Sequence, residues 1–338
     1  MNIFNSNAGD YEIVSPNKRR LIAMGGAAAA LTLGGNKAFA QEKTVTVYST
    51  THPAIQKALE ADFSQRTGIA VRSIRLASGA MAQRFIAEQR AGTHNCDVIT
   101  LGNPNFFDTI GKMGILEKLG HREEFKGMDA EWVPSEYYAM ITAAPGAIAY
   151  NTKKVQGESL AGGWQDLLKP EFKNRMLMTD PRSNENFVLF LAMLKNTYGN
   201  DFLRALGKQN LRLVPVTQQG VEQVASGEAD IIFPCLPGNL SAYKGKNIPV
   251  ELTNIPDPTF WMPFFIGVTK NGPNKENAYR WLEYSFSPSA QEILCQGVSV
   301  SPLKDVKGAL SYRRVKNPEF NASIAMSDAM FDLLQLPA

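Results

Sequence analysis

From Gln41 onward the chain alternates short β-rich runs with segments of helical period. Thr44-Val-Thr-Val-Tyr48 predicts a strand that ends in Ser49-Thr50-Thr51, and Pro53 opens a segment with Ile55, Leu59 and Phe63 on one helical face. Ile69–Leu76 predicts a second strand, followed by Ser78-Gly79 and a helix through Met81, Phe85 and Ile86. Cys96–Leu101 predicts a third, closed by Gly102-Asn103-Pro104 and a helix over Phe106, Phe107 and Ile110. A loop around Trp132–Tyr138 precedes a strand over 146–152. Two short helical turns, at 164–168 and 170–173, lead to a strand over 175–178. The loop Asp180-Pro181-Arg182-Ser183 caps a helix from Phe187 to Tyr198. Strands over 213–216 and 230–233 flank a helix from Gln218 to Ser226. Pro263–Val268 is an apolar strand, and the tail from Asn274 is mainly helical. Such alternation argues for βαβ units and mostly parallel sheets.

Length adds that 338 residues suit one large or two medium domains. The net charge of +3 is uneven: the first 40 residues hold Lys18, Arg19, Arg20 and Lys37 against Asp10 and Glu12, which leaves the remainder near neutrality. With no long run of like charge, a nucleic-acid partner is not indicated. Lys18-Arg19-Arg20, the mildly apolar run Leu21–Leu33 and Ala38-Phe39-Ala40 have the layout of an export signal over residues 1–40, cleaved after Ala40. The run is shorter than the roughly 20 residues a membrane span needs. Paired arginines and the glycines at 25, 26, 34 and 35 suggest the twin-arginine route, with the general secretory route as the alternative. Cys96, Cys235 and Cys295 are an odd number with no CxxC or Cys/His spacing, so buried free thiols are expected.

Catalytic signatures are missing. There is no GxSxG, HExxH, Walker loop or GxGxxG, and His52, His94 and His121 lack ligand-like spacing. Glu123-Glu124 falls in a charged loop and reads as solvated. The chain is read as a non-enzyme without a cofactor.

The order of segments resembles the type II periplasmic binding proteins, in the group of ferric-ion, thiamine and organo-anion binders. The stretches that carry this are Val47–Thr51, Phe63–Val71 with Thr67-Gly68-Ile69, Ser78-Gly79 followed by Arg84, Glu88 and Asp97-Val98, and Ala149-Tyr150-Asn151-Thr152. Trp164–Leu168, Asp180-Pro181-Arg182, Gly227–Asp230 and Ser287–Leu294 continue the match. The resemblance implies an α/β fold of two lobes joined by two crossover hinge strands, near Tyr150-Asn151 and 255–263, around a central ligand cleft. Lobe one would take 44–148 plus 263–338, and lobe two 149–262. It further implies a monomeric capture component that hands a small solute to the membrane permease of an ABC importer in the periplasm. A ligand-sensing role toward a membrane receptor is the alternative.

Helix starts at the carboxyl ends of strands attract anions. Ser49, Thr50 and Thr51, Ser78 and Gly79, Asn103, and Arg182 and Ser183 with Asn184 occupy four such places. Each hydroxyl or amide there could instead be an N-cap, and Arg182 could be a surface ion pair. Tyr150 either lines the cleft or packs the hinge. A ferric reading would need anionic oxygen ligands, but Tyr137-Tyr138 precedes the hinge, Tyr243 stands alone and His52 follows the first loop. Phe260-Trp261-Met262 offers apolar surface near the second crossover. Together these favour a small organic anion over a ferric ion, with no metal expected.

Overall fold

The computed structural model describes residues 43–336, apart from 77, 184–185, 244–245, 255, 257 and 311–319. The export signal expected over residues 1–40, Asn184 and Ile255 therefore lie outside the described residues. The chain first builds β1 (Thr44–Ser49), α1 (Pro53–Thr67), β2 (Ala70–Arg75), α2 (Ser78–Arg90), β3 (Val98–Leu101), α3 (Pro104–Lys112) and β4 (Ala139–Pro145). It then crosses to β5 (Ala147–Asn151), β6 (Met176–Thr179), α4 (Asn186–Tyr198), α5 (Asn200–Gly207), β7 (Arg212–Val214), α6 (Thr217–Ser226), β8 (Ile231–Cys235) and β9 (Val250–Leu252). It returns in β10 (Trp261–Val268), α7 (Lys275–Ser285) and α8 (Pro288–Cys295), and ends in α9 (Phe320–Ala325) and α10 (Ser327–Leu333).

Two five-stranded sheets result, ordered β2-β1-β3-β10-β4 and β7-β6-β8-β5-β9. Within each, three strands are parallel: β1, β2 and β3 in the first, and β6, β7 and β8 in the second. Strand β10 runs antiparallel to β3 and β4, and β5 runs antiparallel to β8 and β9. This is the two-lobed α/β architecture that the resemblance implied. The sequence places a loop around Trp132–Tyr138 and a strand only from 146, and does not reveal β4 because its segment Ala-Met-Ile-Thr-Ala-Ala-Pro shows no period-2 alternation. Six of its seven residues are buried, so it has no polar face to reveal it.

The crossovers lie side by side. Gly146, between β4 and β5, donates its N–H to the Phe260 carbonyl (3.0 Å), and the Thr259 hydroxyl donates to the Gly146 carbonyl (2.7 Å). A Cβ at Gly146 would overlap the Phe260 ring, so close backbone approach explains the glycine.

Each sheet has its own core. On the first, α1 enters through Pro53 and stops at Gly68, whose φ of 69° suits a left-handed cap. Its Phe63 meets the Trp281 ring edge-on at 4.9 Å. Buried Asp97 accepts the N–H groups of Thr46 (2.8 Å) and Asn274 (2.7 Å), which ties β1 to the head of α7. On the second, α4 is buried continuously from Asn186 to Leu194. A helix that is apolar all round needs cover on every side. The tail supplies part of it: Met330 and Leu334 join the same core as Phe190 and Leu206. A Cβ at Gly207 would lie 2.6 Å from the Leu334 carbonyl oxygen. The tail helices α9 and α10 thus cover the second sheet's helices, whereas the sequence division had run residues 263–338 together as lobe one. The physical reason is the all-apolar surface of α4, which one sheet face cannot cover. Cys96, Cys235 and Cys295 are free and buried. No described helix is long and apolar enough to cross a membrane.

Candidate functional site

The loops that follow β1, β2, β3, β6, β7 and β8 all open into one cleft between the sheets, with a volume of about 900 Å³. The parallel strands of both sheets therefore aim their carboxyl ends at a shared space, the usual ligand position in open α/β sheets.

On the first wall, Ser49 is fully buried. Its hydroxyl accepts the Thr51 N–H (3.0 Å), so Ser49 shapes the turn without reaching the cleft. Thr50 does reach it. The Thr50 backbone is tied to the Thr100 carbonyl (3.1 Å), while its enclosed Oγ1 has no hydrogen-bond partner. A buried hydroxyl without a partner is costly unless something else satisfies it. Thr51 is buried beside an adjoining recess, and its carbonyl accepts Nε of Arg75 (2.9 Å). Arg75 is the last residue of β2, lines the cleft and makes no ion pair among the described residues. Ser78 and Gly79 head α2 at the cleft, and no atom lies within 4 Å of where a Gly79 Cβ would be. Asn103 lines the cleft while capping α3, its side chain accepting the Phe106 N–H (3.1 Å). His52 also lines it. Its Nδ1 accepts the Ala54 N–H (3.4 Å), which leaves Nε2 as the ring's proton-bearing nitrogen when neutral. Burial, and then the nearby Arg75 charge, hold its pKa below the usual 6.5.

On the second wall, polar groups are bound to one another. Arg182 grips the Asp180 carboxylate through Nε (2.9 Å) and a terminal nitrogen (2.9 Å), and its own N–H donates to the same group (2.9 Å). Burial raises the Asp180 pKa, but these bonds from Arg182 outweigh it and leave the carboxyl below its ordinary 3.8. The Ser183 hydroxyl donates to the Asp180 carbonyl (2.7 Å). Thr179 and Thr217 pair hydroxyl to hydroxyl at 3.0 Å, and the Asn239 side chain accepts the Leu236 N–H (3.0 Å).

Of the residues predicted from sequence, Thr50, Ser78, Gly79, Asn103, Arg182 and Ser183 meet in the cleft, and Thr51 lines the recess beside it. Ser49 and Tyr150 do not. Tyr150 packs in the second core and its hydroxyl donates to Glu251 (3.2 Å), which is the hinge-packing alternative. Tyr138 is buried in the first lobe and donates to Asp108 (2.8 Å), and Tyr137 packs over Gly111. Of Phe260-Trp261-Met262, only Met262 lines the cleft, because Phe260 and Trp261 are core residues. Sequence reasoning missed Arg75, Thr179, Thr217, Gln218 and Asn239. For Arg75 there was a signal: a cation at the last strand position, immediately before a glycine-bearing helix start. The β7 and β8 loops gave none, since Val216-Thr217-Gln218 and Leu236–Asn239 resemble ordinary turns.

The charged side chains lining the cleft are Arg75 and Arg182, and no carboxylate, lysine or tyrosine is among the described lining residues. No group of three or more His, Cys, Asp or Glu side chains among the described residues is placed to hold a metal ion.

Comparison with known proteins agrees with this architecture. The chain is 26% identical over 301 residues to spermidine/putrescine-binding periplasmic protein 1 of Haemophilus influenzae, covering 81% of each chain. It is 25% identical over 273 residues to iron uptake protein A1 of Synechocystis, covering 76% of this chain and 74% of that one. The crystal structure of the substrate-binding protein of an ABC transporter from Agrobacterium tumefaciens superposes with a TM-score of 0.72 at 15% identity, over 88% of this chain and 96% of that one. The model of the bacterial extracellular solute-binding protein family matches residues 94–324, more than half of the chain, and the protein belongs to that family.

Proposed function

We propose that the protein is the exported capture component of an ABC importer, holding a small organic anion in the interlobe cleft and presenting it to a membrane permease. The observation that carries this reading is the charge of the cleft: the Arg75 guanidinium makes no ion pair among the described residues, Arg182 is paired with Asp180, and no carboxylate or tyrosine is among the described lining residues. Guanidinium recognises carboxylate and phosphate with paired N–H donors. The unpartnered Thr50 hydroxyl and the α3 head at Asn103 add hydrogen-bonding capacity for the same charge. A polyamine, as named for the Haemophilus relative, carries ammonium groups that call for carboxylates. Iron, as named for the Synechocystis relative, calls for anionic oxygen ligands when ferric. Neither set is found among the described residues that line this cleft.

Capture without chemistry is supported by the same residues. His52, the histidine of the cleft, has Nδ1 engaged at the head of α1, and the Ser183 hydroxyl is bound to the Asp180 carbonyl, not to a base. Ligand bound to the first wall would be enclosed as the second swings about the paired crossovers at Gly146 and Phe260. Calorimetric titration of the purified protein with small carboxylates, phosphate monoesters, putrescine and ferric citrate tests the reading. Binding of an organic anion at micromolar or better affinity, with none of putrescine, is the expected result. Binding of putrescine alone would overturn it.

A further inference from the structure

Beside the cleft lies a recess of about 210 Å³ that shares Thr50, His52, Arg75 and Phe264 with it. Much of its remaining exposed surface is apolar, from Ile55 on α1, Ala144 on β4, Leu294 and Val298 around the end of α8, and Leu236 from across the cleft. Three of the polar residues that border it already have partners for their side chains. The Thr142 hydroxyl donates to the Val300 carbonyl (2.7 Å), the Gln218 amide donates to the Tyr243 hydroxyl (3.4 Å), and the Asn239 side chain accepts the Leu236 N–H. At the mouth the situation reverses, because Arg75 makes no ion pair among the described residues and Thr50 Oγ1 has no partner. A charged anchor thus stands at the entrance of an apolar recess walled by both lobes.

We infer that this recess receives a compact hydrocarbon limb of the anion whose charged end sits at Arg75. The inference rests on the anion reading above and narrows it to a substrate class: organic acids or phosphate monoesters with a short apolar limb, in preference to inorganic or polyhydroxylated anions. At roughly 30 Å³ per water-sized group, the recess has room for about seven such groups. Filling it removes apolar surface from water on the ligand and on both lobes together, so the limb also favours the closed arrangement.

The test is calorimetry with two matched series, straight-chain carboxylates from acetate to decanoate and phosphate monoesters from methyl to nonyl. In at least one series the affinity should rise about threefold per methylene until the recess is full, then level off. The variant Val298→Trp, in the loop after α8, should abolish that rise while leaving the shortest member's affinity unchanged. Ile55→Ser, a milder change, should weaken the rise if the tryptophan variant does not fold. Melting curves establish which variants are folded. A series that binds with no dependence on length, or a rise that survives Val298→Trp, overturns the recess inference and leaves the anion reading standing. Failure of every member of both series to bind overturns the anion reading itself.

Discussion

The two walls of the cleft are built alike and finished differently. Both are the carboxyl ends of three parallel strands, each followed by a helix or turn. On the second wall several polar groups satisfy each other: Arg182 and Ser183 fold onto Asp180, Thr179 pairs with Thr217, and Asn239 caps its own turn. On the first wall Arg75 is held by one bond from Nε and makes no ion pair among the described residues, and Thr50 Oγ1 is enclosed without a partner. Unused hydrogen-bonding capacity is costly to a protein that never meets a ligand and useful to one that does. On the proposed reading, the Arg75 guanidinium, without an ion pair among the described residues, gives the first wall the larger part in capture and leaves enclosure to the second.

That asymmetry can be broken by mutation, starting with the largest effect. Arg75→Ala should weaken binding of a small carboxylate about 10- to 150-fold, the span of a charge-assisted hydrogen bond, with little change in melting temperature. Arg182→Ala should cost less, about three- to tenfold, because its guanidinium is already committed to Asp180. Equal losses in the two variants, read by calorimetry, would erase the distinction between the walls.

A smaller effect concerns pH. His52 has its pKa lowered by burial and then by Arg75, so the free protein holds it neutral at pH 7. An anion at Arg75 offsets that guanidinium and raises the His52 pKa, so binding takes up a fraction of a proton. Affinity should therefore increase a few-fold as pH falls from 7.5 to 5.5, where a carboxylate ligand with an ordinary pKa of about 4.3 stays ionised. His52→Gln should flatten the profile, and an unchanged slope in that variant would remove His52 from the site. Smallest of all, Thr50→Val should cost about fivefold or less in affinity, the worth of one neutral hydrogen bond of about 1 kcal/mol. It should leave the protein as stable or slightly more so by thermal melting, since an unpartnered buried hydroxyl is removed.

The scaffold was legible in the sequence because its signals are local or periodic. Pro53 and Gly68 bracket α1, Asn103-Pro104 opens α3, and Ser287-Pro288 opens α8 where the Ser287 hydroxyl accepts the Ala290 N–H (3.3 Å). The motifs that carried the resemblance turn out to be scaffold as well. Gln291 is fully buried and donates to the carbonyls of Ile141 (3.0 Å) and Ser285 (2.7 Å). Asp230 is buried against Lys154 and Arg175, and the Trp164 indole donates to the Pro258 carbonyl (2.9 Å). Such residues are recognisable because buried polar groups need specific partners. The cleft was only partly legible. Strand ends marked Thr50, Ser78, Asn103 and Arg182, but whether a helix-start residue faces solvent, ligand or its own backbone depends on how two lobes are set against each other. Tyr150 and Ser49 were misplaced for that reason, and Gln218 and Asn239 reach the cleft only through the packing of the second sheet. The packing of the tail helices on α4 and α5 was not legible because nothing local in residues 320–336 records which distant helix they cover.

The most direct test of the central claim is native mass spectrometry of the protein purified from its host, compared with the mass after denaturation and with the Arg75→Ala variant prepared in the same way. The account predicts an excess mass of a small organic acid or phosphate ester on the wild type that is lost in the variant. An excess mass of iron or of a polyamine, retained when Arg75 is removed, would contradict it.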